Sequence, residues 1–195
     1  MDKLCLGGSF NPIHYGHLRC SQAVARHRGF TGVVLIPASV PRLKPASYDL
    51  APPEHRLAMC KLAAEENPFF EVDDLELHRP GESYTIDTVR ALKARGWGRV
   101  SWLIGADQLP ALPRWREAEK LIEEADLLVM ARPGWSFDFD SLPEPFRRLR
   151  SAVVAAPSID ISATDIRRRV RAHEPIDHLT PPAVARYIET HGLYR

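Results

Sequence analysis

The chain has 195 residues and sets 26 Lys and Arg against 25 Asp and Glu, for a formal net charge of +1. That length suffices for one domain over 1–195 with a sizeable core, and the charge balance excludes both the global basic field of a nucleic-acid binder and an acidic disordered tail. No apolar stretch approaches the roughly 20 residues that span a bilayer, so neither nucleic acid nor a membrane is an expected partner.

From the N-terminus, KLCLGG over 3–8 is a short apolar run closed by glycines and reads as a buried strand. HLRCSQAVARHRG over 17–29 reads as a helix stopped by Gly29, with Leu18, Cys20, Ala23 and Val24 able to line one face. GVVLIPA over 32–38 is continuous and β-branched, like a strand covered on both faces. The Pro- and Ser-rich segment 39–53 is a loop, followed by a helix with Pro53 near its first position. FFEVDDLELHR over 69–79 alternates as a third strand, and SYTIDTVRALKARG reads as a helix capped by Ser83 or Thr85 and ended by Gly96. A buried strand over 99–105, a helix over 117–125, a strand from 126 towards Pro133, a loop over 133–145 and a short strand over 151–157 come next. Two helices, within ISATDIRRRVRAHE and PPAVARYIETHG, complete the chain. Strands alternating with helices imply an α/β fold: a doubly wound, mostly parallel, Rossmann-like sheet with C-terminal helices. In such sheets ligands bind beyond the carboxyl ends of the strands. Cys5, Cys20 and Cys60 are odd in number and widely spaced, which reads as reduced core thiols. The opening MDKLCLGG holds no long apolar segment of the signal-peptide kind, and the expected compartment is cytoplasmic.

Two segments carry the chemistry. GGSFNPIHYGHL over 7–18 joins the first strand to the first helix. Glycine lets a backbone approach a ligand closely, and a helix N-terminus attracts phosphate. With a helix beginning near Tyr15, His14 and His17 lie at that end and can donate hydrogen bonds to phosphoryl oxygens. A zinc site lacks an obvious third and fourth ligand, and a Ser9–His pair lacks the strained elbow of hydrolases; a plain helix-capping role stays open on this motif alone. In ISATDIRRRV, over 161–170, Ser162 is placed as an N-cap with Asp165 as the carboxylate of a capping box. Arg167 offers a multi-donor fork for phosphate, whereas Arg168, Arg169 and Arg171 read as a solvated basic face.

The first segment resembles the GxFxPxHxGH signature of the nucleotidyltransferase superfamily, and the second its ISSTxIR element. Between them, SYTIDTVRAL over 83–92, WLIGADQLPALPRW over 102–115 and VMARPG over 129–134 resemble the inner motifs of the bacterial nicotinate-nucleotide adenylyltransferase family. The resemblance implies transfer of AMP from ATP to nicotinate mononucleotide, giving nicotinate adenine dinucleotide (deamido-NAD) and pyrophosphate, with Mg²⁺ carried on ATP. It implies that Gly7, Gly8, Ser9 and Phe10 contact nucleotide and phosphate, and that His14 and His17 bind the ATP phosphates, His17 nearest the transferring phosphorus. It places Lys44 on phosphate, Gly105 and Asp107 on the adenosine side, and Ser162, Thr164 and Arg167 on the β- and γ-phosphates. Thr85 and Trp115 would receive the nicotinate end, with Arg132 near the mononucleotide. Trp97, Trp102 and Trp135 match no motif position and read as packing.

The chain departs from the family pattern in PASVPRLK, over 37–44, where Ala38, Arg42 and Leu43 stand in place of common Asn, Pro and His. Ala163 replaces a common Ser, and Ser9 and Asn11 replace the frequent Thr and Asp. These departures keep nicotinamide mononucleotide and phosphopantetheine as alternative acceptors. A non-catalytic nucleotide sensor is the alternative from another class; it would be favoured by loss of His14, His17 or Arg167, and all three are present. The oligomeric state, a homo-oligomer included, is open.

Overall fold

The computed structural model describes residues 2–39 and 49–195. Its six strands are β1 (Lys3–Gly8), β2 (Gly32–Pro37), β3 (Phe70–Val72), β4 (Ser101–Gly105), β5 (Asp126–Ala131) and β6 (Val153–Ala155). They form one sheet in the order β3-β2-β1-β4-β5-β6, and every neighbouring pair is parallel. The strand order reverses between β1 and β4, so a crevice opens beyond their carboxyl ends.

Alternation within the strands sends side chains to two separate cores. Leu4, Leu6, Val33, Leu35, Leu103 and Leu128 pack on one face against α1 (Tyr15–His27), α2 (Pro53–Glu65), α6 (Ala163–Arg171) and α7 (Pro182–Thr190). Cys5, Val34, Ile36, Trp102, Ile104 and Val129 pack on the other against α3 (Thr85–Ala94), α4 (Ala118–Glu124) and α5 (Glu144–Arg147). Burial on both faces is why β1 and β2 read as continuous apolar runs. All three cysteines are buried and free, as expected.

Three local expectations are corrected. The third strand is only Phe70–Val72, because the carboxylate of Asp73 accepts from Leu75 N at 3.0 Å and the chain then turns, Leu77 N bonding to Asp74 O at 2.9 Å. The N-cap of α3 is Tyr84, with no side-chain cap from Ser83 or Thr85. The segment after β5 is not a plain loop: helical turns at Phe139–Ser141 and Arg148–Ala152 flank α5 and bury Phe139, Phe146 and Leu149.

One buried charge ties the upper ends of the strands together. Arg56 of α2 is fully buried and donates to Ala51 O at 2.9 Å, Ser9 O at 2.9 Å, Ala38 O at 2.6 Å and Ser39 O at 2.8 Å. Arg56→Ala strips donors from four carbonyls at once; hydrogen bonds to charged groups are each worth about 1.5–3 kcal/mol. The expected loss is at least about 3 kcal/mol of unfolding free energy, measured by urea titration, and Arg56→Lys recovers only part of it because an ammonium cannot reproduce the planar fork.

Candidate active site

The site lies where β1 and β4 end. Leaving β1, the chain passes Phe10, whose φ of 44° is left-handed, and enters α1 with His14 as an extended N-cap. His14 makes no side-chain cap bond, which sets aside the capping role left open by the sequence. Its ring stacks on that of His17 at 3.7 Å between centroids and 29° between planes, while Phe10 meets His17 edge-on at 5.2 Å. Gly16 makes this possible. A Cβ there would sit 2.9 Å from the His14 ring and 3.3 Å from Ile161 O, so only glycine admits both the imidazole and the backbone of the second motif. No acidic residue stands in the first turn of α1, which leaves its positive end uncompensated.

Both imidazoles are neutral at pH 7. Burial, with the neighbouring His17, holds His14 down at about 2, and burial holds His17 at about 4. The Nδ1 atoms of both are shielded from solvent and meet no hydrogen-bond partner among the described residues. A pair of rings this close accepts two protons only against their mutual repulsion, and an anion placed over them supplies the missing partner.

The second motif reaches the first directly. Ser162 Oγ caps α6 by accepting from Asp165 N at 3.1 Å. The expected return bond of a capping box is replaced, since the Asp165 carboxylate turns to Arg168 and Arg169. Arg167 is 5% exposed; its Nη1 donates to Asn11 O at 2.9 Å and its Nη2 to Thr164 Oγ1 at 3.4 Å. The other arginines of α6 are ion-paired instead of merely solvated: Arg168 and Arg169 with Asp165 and Glu174, and Arg171 with Asp49.

A Cβ on Gly7 would lie 2.5 Å from the Trp102 ring, and one on Gly8 would lie 3.0 Å from Phe10. Phe10 itself is buried, and its ring meets that of His17 edge-on. The space beside Gly105 is taken by the Asp107 carboxylate, which is otherwise exposed and accepts from Gln108 Nε2 at 2.7 Å. Ser9 is half-buried at the end of β1, its carbonyl held by Arg56.

At the other flank, Thr85 opens α3 and Trp115 closes the helical turn Leu112–Arg114, its indole Nε1 shielded and without a partner among the described residues. Arg132 follows β5, two-thirds exposed and 3.9 Å from Asp160, on the approach to the second motif. Lys44, with Arg42 and Leu43, lies outside the described residues. Trp102 is a packing residue, as expected.

Sequence reading missed four supports of this site. Asn11 donates through Nδ2 to Asp49 O at 2.6 Å and accepts at Oδ1 from Ala51 N at 3.0 Å and from the Tyr194 hydroxyl at 2.8 Å. Thr180 Oγ1 donates to Ile13 O at 2.7 Å, and Leu179 O accepts from Tyr15 N at 3.0 Å. Arg56, which holds Ser9 O, is the fourth. Among the described residues, no group of three or more His, Cys, Asp and Glu side chains gathers as a metal cluster, and no helix is long and apolar enough to cross a membrane.

A family model described as cytidylyltransferase-like matches residues 5–169. A protein of Roseiflexus sp. (strain RS-1) named "Probable nicotinate-nucleotide adenylyltransferase" is 46% identical over 192 residues, covering 97% of this chain and 96% of its own. One of the same name from Yersinia pestis (strain Pestoides F) is 41% identical over 208 residues, covering 97% and 93%. The solved structure of Plasmodium falciparum nicotinic acid mononucleotide adenylyltransferase complexed with NaAD superposes with a TM-score of 0.77 at 20% identity, over 100% of this chain and 98% of that one.

Neutral buried histidines make a pH prediction. Unfolded, each takes up a proton near its ordinary 6.5; folded, His17 resists to about 4 and His14 to about 2. The unfolded state therefore binds more protons below 6.5, and stability falls with falling pH by about 1.4 kcal/mol per pH unit for each histidine. Chemical denaturation at pH 7 and pH 5 is expected to show a smaller drop in the His14→Asn, His17→Asn double variant than in the parent. Parallel drops would refute the depressed values.

Proposed function

The chain belongs to the cytidylyltransferase-like family and, within it, to the nicotinate-nucleotide adenylyltransferases, and we propose that its first and second motifs together cradle ATP for direct attack by the acceptor phosphate. It is an enzyme of NAD biosynthesis: AMP passes from ATP to nicotinate mononucleotide, giving nicotinate adenine dinucleotide and pyrophosphate. The observation that carries the cradle is the meeting of the two motifs at Gly16, where Ile161 O and the His14 ring close on one Cα.

The chemistry needs little beyond placement. The nucleophile is a phosphate monoester whose second pKa near 6 leaves it largely dianionic at neutral pH, so no protein base is required. Attack in line on the α-phosphorus breaks its bond to the β-phosphate oxygen and releases pyrophosphate without a covalent enzyme intermediate. In this reading His14 and His17 donate to phosphate oxygens, with His17 nearest the α-phosphoryl group. Ser162 and Thr164 hold the β- and γ-phosphates. Arg167 pins the first-motif loop and lends its charge to the same phosphates. Lys44 adds a further charge. Backbone groups of Gly7, Gly8 and Ser9 line the phosphate path. Asp107 beside Gly105 accepts from ribose hydroxyls, Thr85 and Trp115 take the nicotinate end, and Arg132 adds charge from the end of β5.

The donors at the cradle are imidazole, hydroxyl and guanidinium groups, which suit phosphate oxygens better than a caged hard cation. Mg²⁺ thus comes in on the triphosphate, where it offsets charge. Three buried free thiols support a reducing, cytoplasmic setting. Bonds from Leu179, Thr180 and Tyr194 onto the first-motif region support 1–195 acting as one domain.

The deciding assay follows pyrophosphate release from ATP with nicotinate mononucleotide, nicotinamide mononucleotide and phosphopantetheine in turn. Release with nicotinate mononucleotide is expected to be fastest, and none with it would overturn the assignment. His17→Ala is expected to lower kcat by about 100-fold or more, as loss of an oxyanion donor does; near-normal turnover would remove His17 from the reaction.

A further inference from the structure

One buried acid stands outside both motifs and has no part in the reaction just described. Glu76, 5% exposed, lies between β3 and α3. Thr88 Oγ1 donates to its Oε1 at 2.6 Å, and that hydroxyl in turn accepts from Arg79 Nη2 at 2.8 Å. The Ser83 hydroxyl lies beside the same carboxylate and favours its charged form, and Ser83 Oγ accepts from Ser39 N at 3.0 Å. An ionised carboxylate only accepts, so the Thr88 hydroxyl donates to it, with Tyr84 O at 3.3 Å as a second acceptor, and takes Arg79 on a lone pair. Burial holds the Glu76 carboxyl above the usual carboxylate range, with Thr88, Ser83 and Arg79 offsetting part of that rise.

This cluster touches both walls of the acceptor end. Thr85 lies between Ser83 and Thr88, in the first turn of α3. Asp87, in the same turn, is 4.0 Å from Arg79 and 3.6 Å from Arg116, and the Arg116 guanidinium lies over the Tyr84 ring at 4.6 Å. Arg116 adjoins Trp115 in the chain. On the far side, Ser39 continues from β2 and its carbonyl is held by Arg56.

We propose that Glu76 is a positioning residue for the acceptor: through Ser83 and Thr88 it locks the start of α3, and with it Thr85, against the exit of β2. The proposal rests on the reading that Thr85 and Trp115 receive the nicotinate end. Glu76 touches no reacting atom, so its removal acts on acceptor binding and orientation, not on the ATP cradle.

The test uses the full chain and measures kcat and both KM values by pyrophosphate release, with thermal melts as a check on folding. Glu76→Ala is expected to raise KM for nicotinate mononucleotide about tenfold or more, with KM for ATP within about twofold; a tenfold change corresponds to about 1.4 kcal/mol. Glu76→Gln is expected to recover most of the loss, because it keeps the volume and an acceptor oxygen, and Ser83→Ala is expected to share the acceptor-side effect. Should Glu76→Ala fail to fold, Ser83→Ala and Glu76→Gln carry the comparison. Thr85→Val and Trp115→Ala separate the two layers of the claim. If they raise acceptor KM while the Glu76 and Ser83 variants do not, or raise both KM values alike, the positioning role is overturned. If Thr85→Val and Trp115→Ala leave acceptor KM unchanged, the placement of the acceptor fails and takes this inference with it.

Discussion

The Arg56 guanidinium is the constraint on which the upper edge of the sheet depends. Beyond Gly8 and Pro37 the strands β1 and β2 stop pairing and their chains part, so the carbonyls of Ser9, Ala38 and Ser39 lose the ladder that would have satisfied them. A buried carbonyl without a donor is costly. One planar fork from α2 answers all three, together with Ala51 O, and does so with a charge kept fully out of water. The converging carbonyl dipoles offset the desolvation of that charge, and the charge in turn forbids the strand ends to move apart. One wall of the crevice, the exits of β1 and β2, is therefore held in place.

The first-motif loop is held from the other side by residues that come late in the chain. Arg167 grips Asn11 O, Thr180 grips Ile13 O, and the Tyr194 hydroxyl reaches the Asn11 side chain. These bonds allow a costly arrangement to persist: Phe10 at positive φ, and two imidazoles stacked and neutral with their Nδ1 atoms unserved by the described protein. Strain and unmet hydrogen bonds gather at functional sites because the surrounding fold over-determines them. The same unmet bonds are what a triphosphate can complete.

Much of the architecture was legible in the sequence because it rests on periodicity and punctuation. The β-branched run of β2, the glycines closing β1 and Gly96 past α3 announce themselves by residue type. So do the two motifs, since imidazole, hydroxyl and guanidinium groups at a helix start have a chemistry of their own. What stayed hidden depends on partners without a residue signature. Arg56 in PEHRLAMCKL reads as one polar residue in an amphipathic helix, because its partners are main-chain carbonyls. Gly7 and Gly8 also make room for Trp102 and Phe10, a packing need that no residue type announces. Ser83 reads as a cap, yet its hydroxyl is spent between Ser39 and Glu76, a tertiary use that overrides the local one. The third strand was overread because Asp73 and Asp74 form the turn that ends it.

Ser39 shows why these hidden contacts matter for the reaction. Its amide donates to Ser83, on the side of Thr85, and its carbonyl accepts from Arg56, which also holds Ser9 beside the phosphate path. The start of α3 and the exit of β1 are thus joined through a single residue, Ser39, by hydrogen bonds of 3.0 and 2.8 Å. For a transfer that needs no protein base, the rate depends chiefly on how well nucleophile and phosphorus are aligned, and a displacement of about 1 Å can cost about 100-fold. A separation set by surface side chains would vary with their rotamers. Here the buried Arg56 and the half-buried Ser39 and Ser83 hold these segments through main-chain groups, which have no rotamers to lose.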